Sequence, residues 1–281
     1  MTSETPTRRP PEELPLAAPC RSLDMGDPWI WIRKGWSDIR RAPRQSLTWG
    51  AVLVLLSYLV TSAAWQWGNL GLYLGLVSGF VFVGPWLALT LYAISRRLEL
   101  DRKVSLARSV ADAGQSIKGA LFFAVMLIIV LLVWARAANT LYIFFPAMAD
   151  PGWRDLLVFL SIGSAVGAVF SAVVFAASAF SLPMLMDRRA DAVTAVVTSI
   201  NAVLRNKGPM LVWAGIIVAC VIIGALTAWL GFVLILPLLG HATWHAYRAT
   251  IDAQEWPELT PVDWANRGRS CGAGKARSMT Y

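Results

Sequence analysis

Histidine is almost missing from this chain: 281 residues hold only His241 and His245. Cysteine is nearly as scarce. Cys20, Cys220 and Cys271 lie far apart with no C-x-x-C, which argues against a zinc site or a disulfide framework. Charge is sparse too, at 15% of residues, and none of the 17 acidic residues falls well inside an apolar run. Coupled transport needs ionisable groups at mid-membrane to bind substrate or carry protons. Their near absence argues against a coupled transporter. The first 26 residues are charged and Pro-rich without an apolar h-region, so nothing there resembles a cleaved signal peptide.

What is abundant is apolar sequence. The chain is 57% hydrophobic, with a mean hydropathy of +0.56, beyond the range of an ordinary soluble domain. Six runs, 47–65, 70–94, 119–135, 156–182, 209–229 and 231–247, approach or exceed the ~20 residues that cross a bilayer core as a helix. Backbone polar groups must be satisfied internally in lipid, so these runs predict helices. The expected architecture is all-α and polytopic: a six-span membrane domain over 27–251, with a disordered cytoplasmic tail at 1–26 and a flexible one at 252–281. All of the 25 Lys and Arg except Arg136 and Arg154 fall on one side of this arrangement. The positive-inside rule then puts both termini in the cytoplasm. The formal charge of +8 belongs to that face and predicts attraction to anionic lipid. Because the basic residues flank spans and form no separate module, nucleic acid is not an expected partner.

The apolar runs group loosely into three units, each an amphipathic segment followed by a hairpin of two spans with a proline in the second: Pro85, Pro183 and Pro237. These prolines are expected helix kinks. The amphipathic segments are DPWIWIRKGWSDIRR, with Trp29, Ile32, Trp36 and Ile39 on one face, SLARSVADAGQSI, with Leu106, Val110, Ala113 and Ile117, and AVTAVVTSINAVL, with Val193, Val196, Val197, Ile200, Val203 and Leu204. Helices of this kind either lie in the membrane interface or pack on the spans. PWLALTLYAISR in the first unit aligns with PLLGHATWHAYR in the third. Leu89 and Ala93 stand where the third unit has His241 and His245.

Gly71, Gly75 and Gly79 in the second span, and Gly163, Gly167 and Ser171 in the fourth, form small-residue rows at four-residue spacing. Such rows let helix backbones approach closely in lipid, so spans two and four are expected to pack centrally. Asp187 stands four residues after Pro183, as His241 does after Pro237, which makes Asp187 and His241 an expected polar pair near the cytoplasmic end. His241 and His245 share one helical face and are candidate haem or metal ligands. Two imidazoles leave a metal undersaturated, and one helix cannot supply both axial ligands of a single haem. No cofactor and no catalytic activity are expected.

GPWLALTLYAISRRLE (84–99), SLPMLMDRRADAVTAVVTSINAVLRNKGPMLVW (181–213) and LPLLGHATWHAYR (236–248) resemble blocks of the bacterial predicted integral membrane proteins grouped as domain of unknown function family 2189. The resemblance implies a six-span inner-membrane protein without an established activity. Some relatives bear the label of putative cytochrome c oxidase. Three classes of function follow: a membrane-embedded interaction or lipid-organising component with phospholipid and a membrane protein as partners, a haem- or metal-binding accessory of a respiratory complex, and a passive or lipidic transporter.

Overall fold

The computed structural model describes residues 14–66, 87–144 and 152–260. Among the described residues ten helical elements follow in order: α1 (Asp27–Arg41), α2 (Pro43–Gln66), α3 (helical over 87–99), α4 (Leu106–Gln115), α5 (Ile117–Phe144), α6 (Trp153–Ser178), α7 (Ser181–Asp187), α8 (Ala192–Arg205), α9 (Lys207–Leu226) and α10 (Phe232–Thr250). Among the described residues there are no strands, only isolated bridges between Cys20 and Ile251 and between Arg188 and Glu258.

Among the described residues four stretches are long and apolar enough to cross a membrane: Pro43–Ala63, Ile117–Thr140, Trp153–Asp187 and Lys207–Leu226. They coincide with the first, third, fourth and fifth expected spans. Most of the second expected span, with Gly71, Gly75, Gly79 and Pro85, lies outside the described residues. The sixth is one continuous helix, α10, whose second half carries His241, Trp244, His245, Tyr247 and Arg248 and is correspondingly less apolar.

The three amphipathic segments are helices, and each buries only part of its apolar stripe: Ile39 in α1, Ala113 in α4 and Val196 in α8. In α1 the buried residues are Pro28, Trp31, Gly35, Asp38 and Ile39, while Trp29, Ile30 and Trp36 are exposed. Gly35 explains the shift. A Cβ there would lie 2.8 Å from the backbone nitrogen of Ala242 in α10, so α1 rests on α10 through its smallest residue. Trp31 then packs edge-on against Trp213 of α9, with centroids 5.6 Å apart. In α8 the buried row is mostly Ala, Ser and Thr, and Val193 and Leu204 point outward. α4 buries Ser109, Asp112 and Ala113.

Pro183 and Pro237 act differently. A proline removes an N–H and crowds the carbonyl four residues earlier. Four residues before Pro183 is Ala179, where α6 ends and the turn 179–180 separates it from α7. α8 repairs the break: the Ser199 hydroxyl donates to the Ala176 carbonyl at 2.7 Å and accepts from the Phe180 amide at 3.0 Å. Pro237, in contrast, stays inside continuous α10. It deprives the Val233 carbonyl of its usual helical donor, and α2 closes on that carbonyl at Gly50, where a Cβ would come within 2.1 Å of the oxygen.

The tail boundaries move inward. Residues 14–26 and 252–260, expected within flexible tails, are bonded to the helices. The Ala18 amide donates to Thr198 Oγ1 at 2.9 Å, and Asn206 Oδ1 accepts from the Leu23 amide at 2.9 Å. The two segments also meet, through Arg21 N to Thr250 O at 2.8 Å and Asp252 N to Pro19 O at 2.9 Å. Ala18, Ala253 and Trp256 are buried in the larger core, while Leu16 and Met25 are exposed. A Pro-rich, charged composition concealed these anchors. Residues 1–13 and 261–281 lie outside the described set.

Gly50→Val should destabilise the protein by about 1–3 kcal/mol, the ordinary cost of overpacking a close contact. Gly163→Val, where no described atom lies within 4 Å of the new Cβ, should leave the melting temperature in detergent nearly unchanged. Equal shifts for the two variants would refute the close approach of α2 to α10.

Candidate functional site: a buried ionic hub at one end of the bundle

The charged residues avoided by the apolar runs are gathered where α3, α7 and α10 end. Asp187, the last residue of α7, accepts from Arg188 Nε at 2.9 Å and from the Tyr247 hydroxyl at 3.0 Å on Oδ2, and pairs with Arg96 Nε at 3.4 Å on Oδ1. Arg248 Nη1 reaches the same carboxylate at 3.5 Å. The side chains of Asp187, Arg96 and Arg188 are each only 6% exposed. One carboxylate thus ties the ends of three helices. Glu99 of α3 extends the network, accepting from Trp244 Nε1 at 2.9 Å and Arg248 Nε at 3.1 Å. Next to it, Arg97 Nε donates to Asp112 Oδ2 of α4 at 2.6 Å, both groups being almost fully buried.

Arg96 and Arg248 lie just beyond the apolar runs. Burial pulls the Arg96 pKa below its ordinary value, against the opposing pull of Asp187 and Glu258. At Arg248 burial also lowers the pKa, but Glu99 and Asp187 outweigh it and the net shift is upward.

His241 is fully buried and does not meet Asp187. Its Nδ1 stands 2.8 Å from Ser95 Oγ of α3, and its Nε2 2.9 Å from Ser46 Oγ of α2. The expected Asp187–His241 pair is therefore replaced by two separate polar sites. α10 presents His241 and Tyr247 to different neighbours, and it is Tyr247 that reaches Asp187. A neutral imidazole donates from one nitrogen and accepts at the other, and serine hydroxyls can complement either tautomer. His245 Nε2 lies 2.8 Å from Asp38 Oδ2 of α1. The two histidines consequently fasten α10 to three different helices.

This arrangement does not fit the pair as haem or metal ligands. Both nitrogens of His241 and Nε2 of His245 are already engaged, so an ion bound at any of them would take a buried serine or the Asp38 carboxylate away from its imidazole partner. Among the described residues no group of three or more His, Cys, Asp or Glu side chains is placed to hold a metal.

Gly167 and Ser171 of α6 line an apolar cavity of about 560 Å³ against Leu127, Val130 and Trp134 of α5. They face span three there. No described atom lies within 4 Å of a Cβ built at Gly163 or Gly167, and the glycine row of span two lies outside the described residues. A second cavity, of about 380 Å³ between α2 and the start of α10, is lined by Val54, Tyr58, Trp229 and Phe232 among others.

Residues 72–187 match the family described as "Predicted integral membrane protein (DUF2189)". The family is the one the sequence resembles. The matched segment ends on Asp187, so it includes Arg96, Arg97, Asp112 and the hub carboxylate, and leaves α1 and the His241 helix outside. No curated protein and no solved structure matches the chain. The hub was not anticipated from sequence beyond Asp187. Arg96 and Arg248 occupy the same aligned position in the first and third units, a coincidence that could have pointed to a shared partner.

Asp187→Ala would leave three guanidiniums facing a void and should cost about 3–5 kcal/mol, the loss seen when one partner of a buried ion pair is removed. His241→Leu should destabilise by about 1–3 kcal/mol through stranded hydroxyls. Replacing Ser46 and Ser95 by Ala in the same background should recover part of that loss, and thermal unfolding without any recovery would refute the serine clamp.

Proposed function

We propose that this DUF2189 protein is a non-catalytic component of the bacterial inner membrane that organises anionic phospholipid, or docks a neighbouring membrane protein, at the cytoplasmic leaflet. In this reading the chain crosses six times as three related hairpins, with both termini in the cytoplasm. α1, α4 and α8 lie at the inner surface.

The observation that carries the reading is the direction of the amphipathic helices. α8 turns mostly Ala, Ser and Thr toward the bundle, α1 buries Gly35 and Asp38 beside Trp31 and Ile39, and the two helices leave Trp29, Ile30, Val193 and Leu204 outside. In water this sorting exposes the costly groups and buries the cheap ones. At a headgroup boundary it is favourable, because indole and aliphatic side chains enter the interface. Arg33, Lys34 and Arg40 are not buried on the same helix, and the Arg40 guanidinium lies 5.5 Å from the Trp36 ring centroid. Those cations suit lipid phosphate.

A spin label at Ile30→Cys, in a background with Cys20, Cys220 and Cys271 replaced, should sit at roughly 5–10 Å depth in the headgroup–acyl boundary. Collision with oxygen and with a water-soluble nickel complex reports this depth, and a fully aqueous label would overturn the reading. Arg33→Gln with Arg40→Gln should reduce co-purified anionic phospholipid several-fold, consistent with about 1 kcal/mol per basic residue.

A further inference from the structure

The segment Trp256-Pro257-Glu258-Leu259 sits on the hub in the manner of a bound peptide. It runs antiparallel to residues 187–189, the last residue of α7 and the two that follow it, with Arg188 and Glu258 forming an isolated bridge. The Leu259 amide donates to the Asp187 carbonyl at 2.9 Å, and the Arg189 amide donates to the Pro257 carbonyl at 2.8 Å. Arg188 Nη1 donates to the Trp256 carbonyl at 3.0 Å, and Arg96 donates to the Leu259 carbonyl. Trp256 is buried in the larger core, and the half-exposed Glu258 carboxylate pairs with Arg188 Nη2 at 3.3 Å. Backbone pairing, one aromatic anchor and one acidic side chain are the elements of strand-addition recognition.

We infer that residues 187–189, with Arg96 and Arg188, form a peptide-binding groove that the chain's own residues 256–259 occupy in cis, and that an extended acidic peptide with an aromatic anchor from a partner protein can take it in trans. The occupant is not part of a helix. It follows α10 through a turn whose Gln254 is exposed, so it can leave without unwinding a helix. A lipid phosphate would be a poor substitute, since it offers no donor to the Asp187 carbonyl and nothing to fill the Trp256 position. The cis segment also supplies Glu258 as counter-charge to Arg188, so a competitor must bring its own acid.

This inference rests on the proposed cytoplasmic placement only for where a partner would meet the groove. The groove itself is tested on purified protein, so the two can fail separately. A protease site inserted at Gln254 of the full chain lets the protein fold with its strap before it is cut, and a fluorescent C-terminal tag then reports retention of the released fragment. The fragment should stay bound after cleavage and exchange with excess synthetic peptide QEWPELTP. Versions of the peptide carrying Trp256→Ala or Glu258→Lys should displace it about ten-fold less effectively. Uncut protein should resist the same peptide, because its tethered strap competes at the millimolar effective concentration typical of a short linker. Three results would overturn the groove: immediate loss of the fragment with no peptide binding, equal displacement by all three peptides, or release by nanodiscs of anionic phospholipid without peptide.

Discussion

One sealed carboxylate governs the polar end of this molecule. Asp187 is the shared acceptor of Arg188, Arg96, Arg248 and Tyr247, groups delivered by α3, α10 and the residue that follows α7. A charge this far from water is tolerable only while its partners remain in place. The three helix ends are therefore held by a common condition. Each guanidinium also finds further acceptors, Glu99 for Arg248, Glu258 for Arg188 and backbone carbonyls for Arg96. The network is balanced as a whole, with three cations and three carboxylates. Its outermost counter-charge, Glu258, lies on the C-terminal strap, which makes that strap part of the electrostatics of the fold.

α10 links the hub to the rest of the bundle. Toward its start, α2 closes on the carbonyl beside Pro237 through Gly50, and along its length α1 lies against it through Gly35. Its two histidines are used up in this role, one between Ser46 and Ser95 and the other on Asp38. Buried imidazoles that hydrogen-bond neighbouring helices give directional contacts in a setting where apolar surfaces alone do not choose a partner. A metal bound at His241, or at Nε2 of His245, would displace one of those contacts.

Outward-facing bulk and inward-facing small residues recur through the structure. No residue of α6 is buried, and α5 and α9 expose most of their leucines, isoleucines and valines. In lipid there is no gain in hiding such side chains, and close packing favours Gly, Ala, Ser and Thr. The same sorting in α8 extends that logic from the spans to a surface helix.

Much of this was written in the chain itself. Apolar run length predicted helices at each described span, and three amphipathic segments predicted α1, α4 and α8, because hydrophobic content and period are properties of neighbouring residues. The family resemblance was legible from local motifs in the same way. The inward face of α1 was not legible. Periodicity selects the apolar stripe, whereas the helix is seated by Gly35, and nothing local says that a backbone will approach there. Nor could sequence tell that His241 meets two serines while Tyr247 takes the Asp187 carboxylate, or that a polar, Pro-containing tail would pair with residues 187–189. Local pattern determined which segments become helices. Which polar groups share a burial site depended on residues as far as 207 positions apart, and only tertiary packing, under the penalty for an unpaired charge away from water, could decide it.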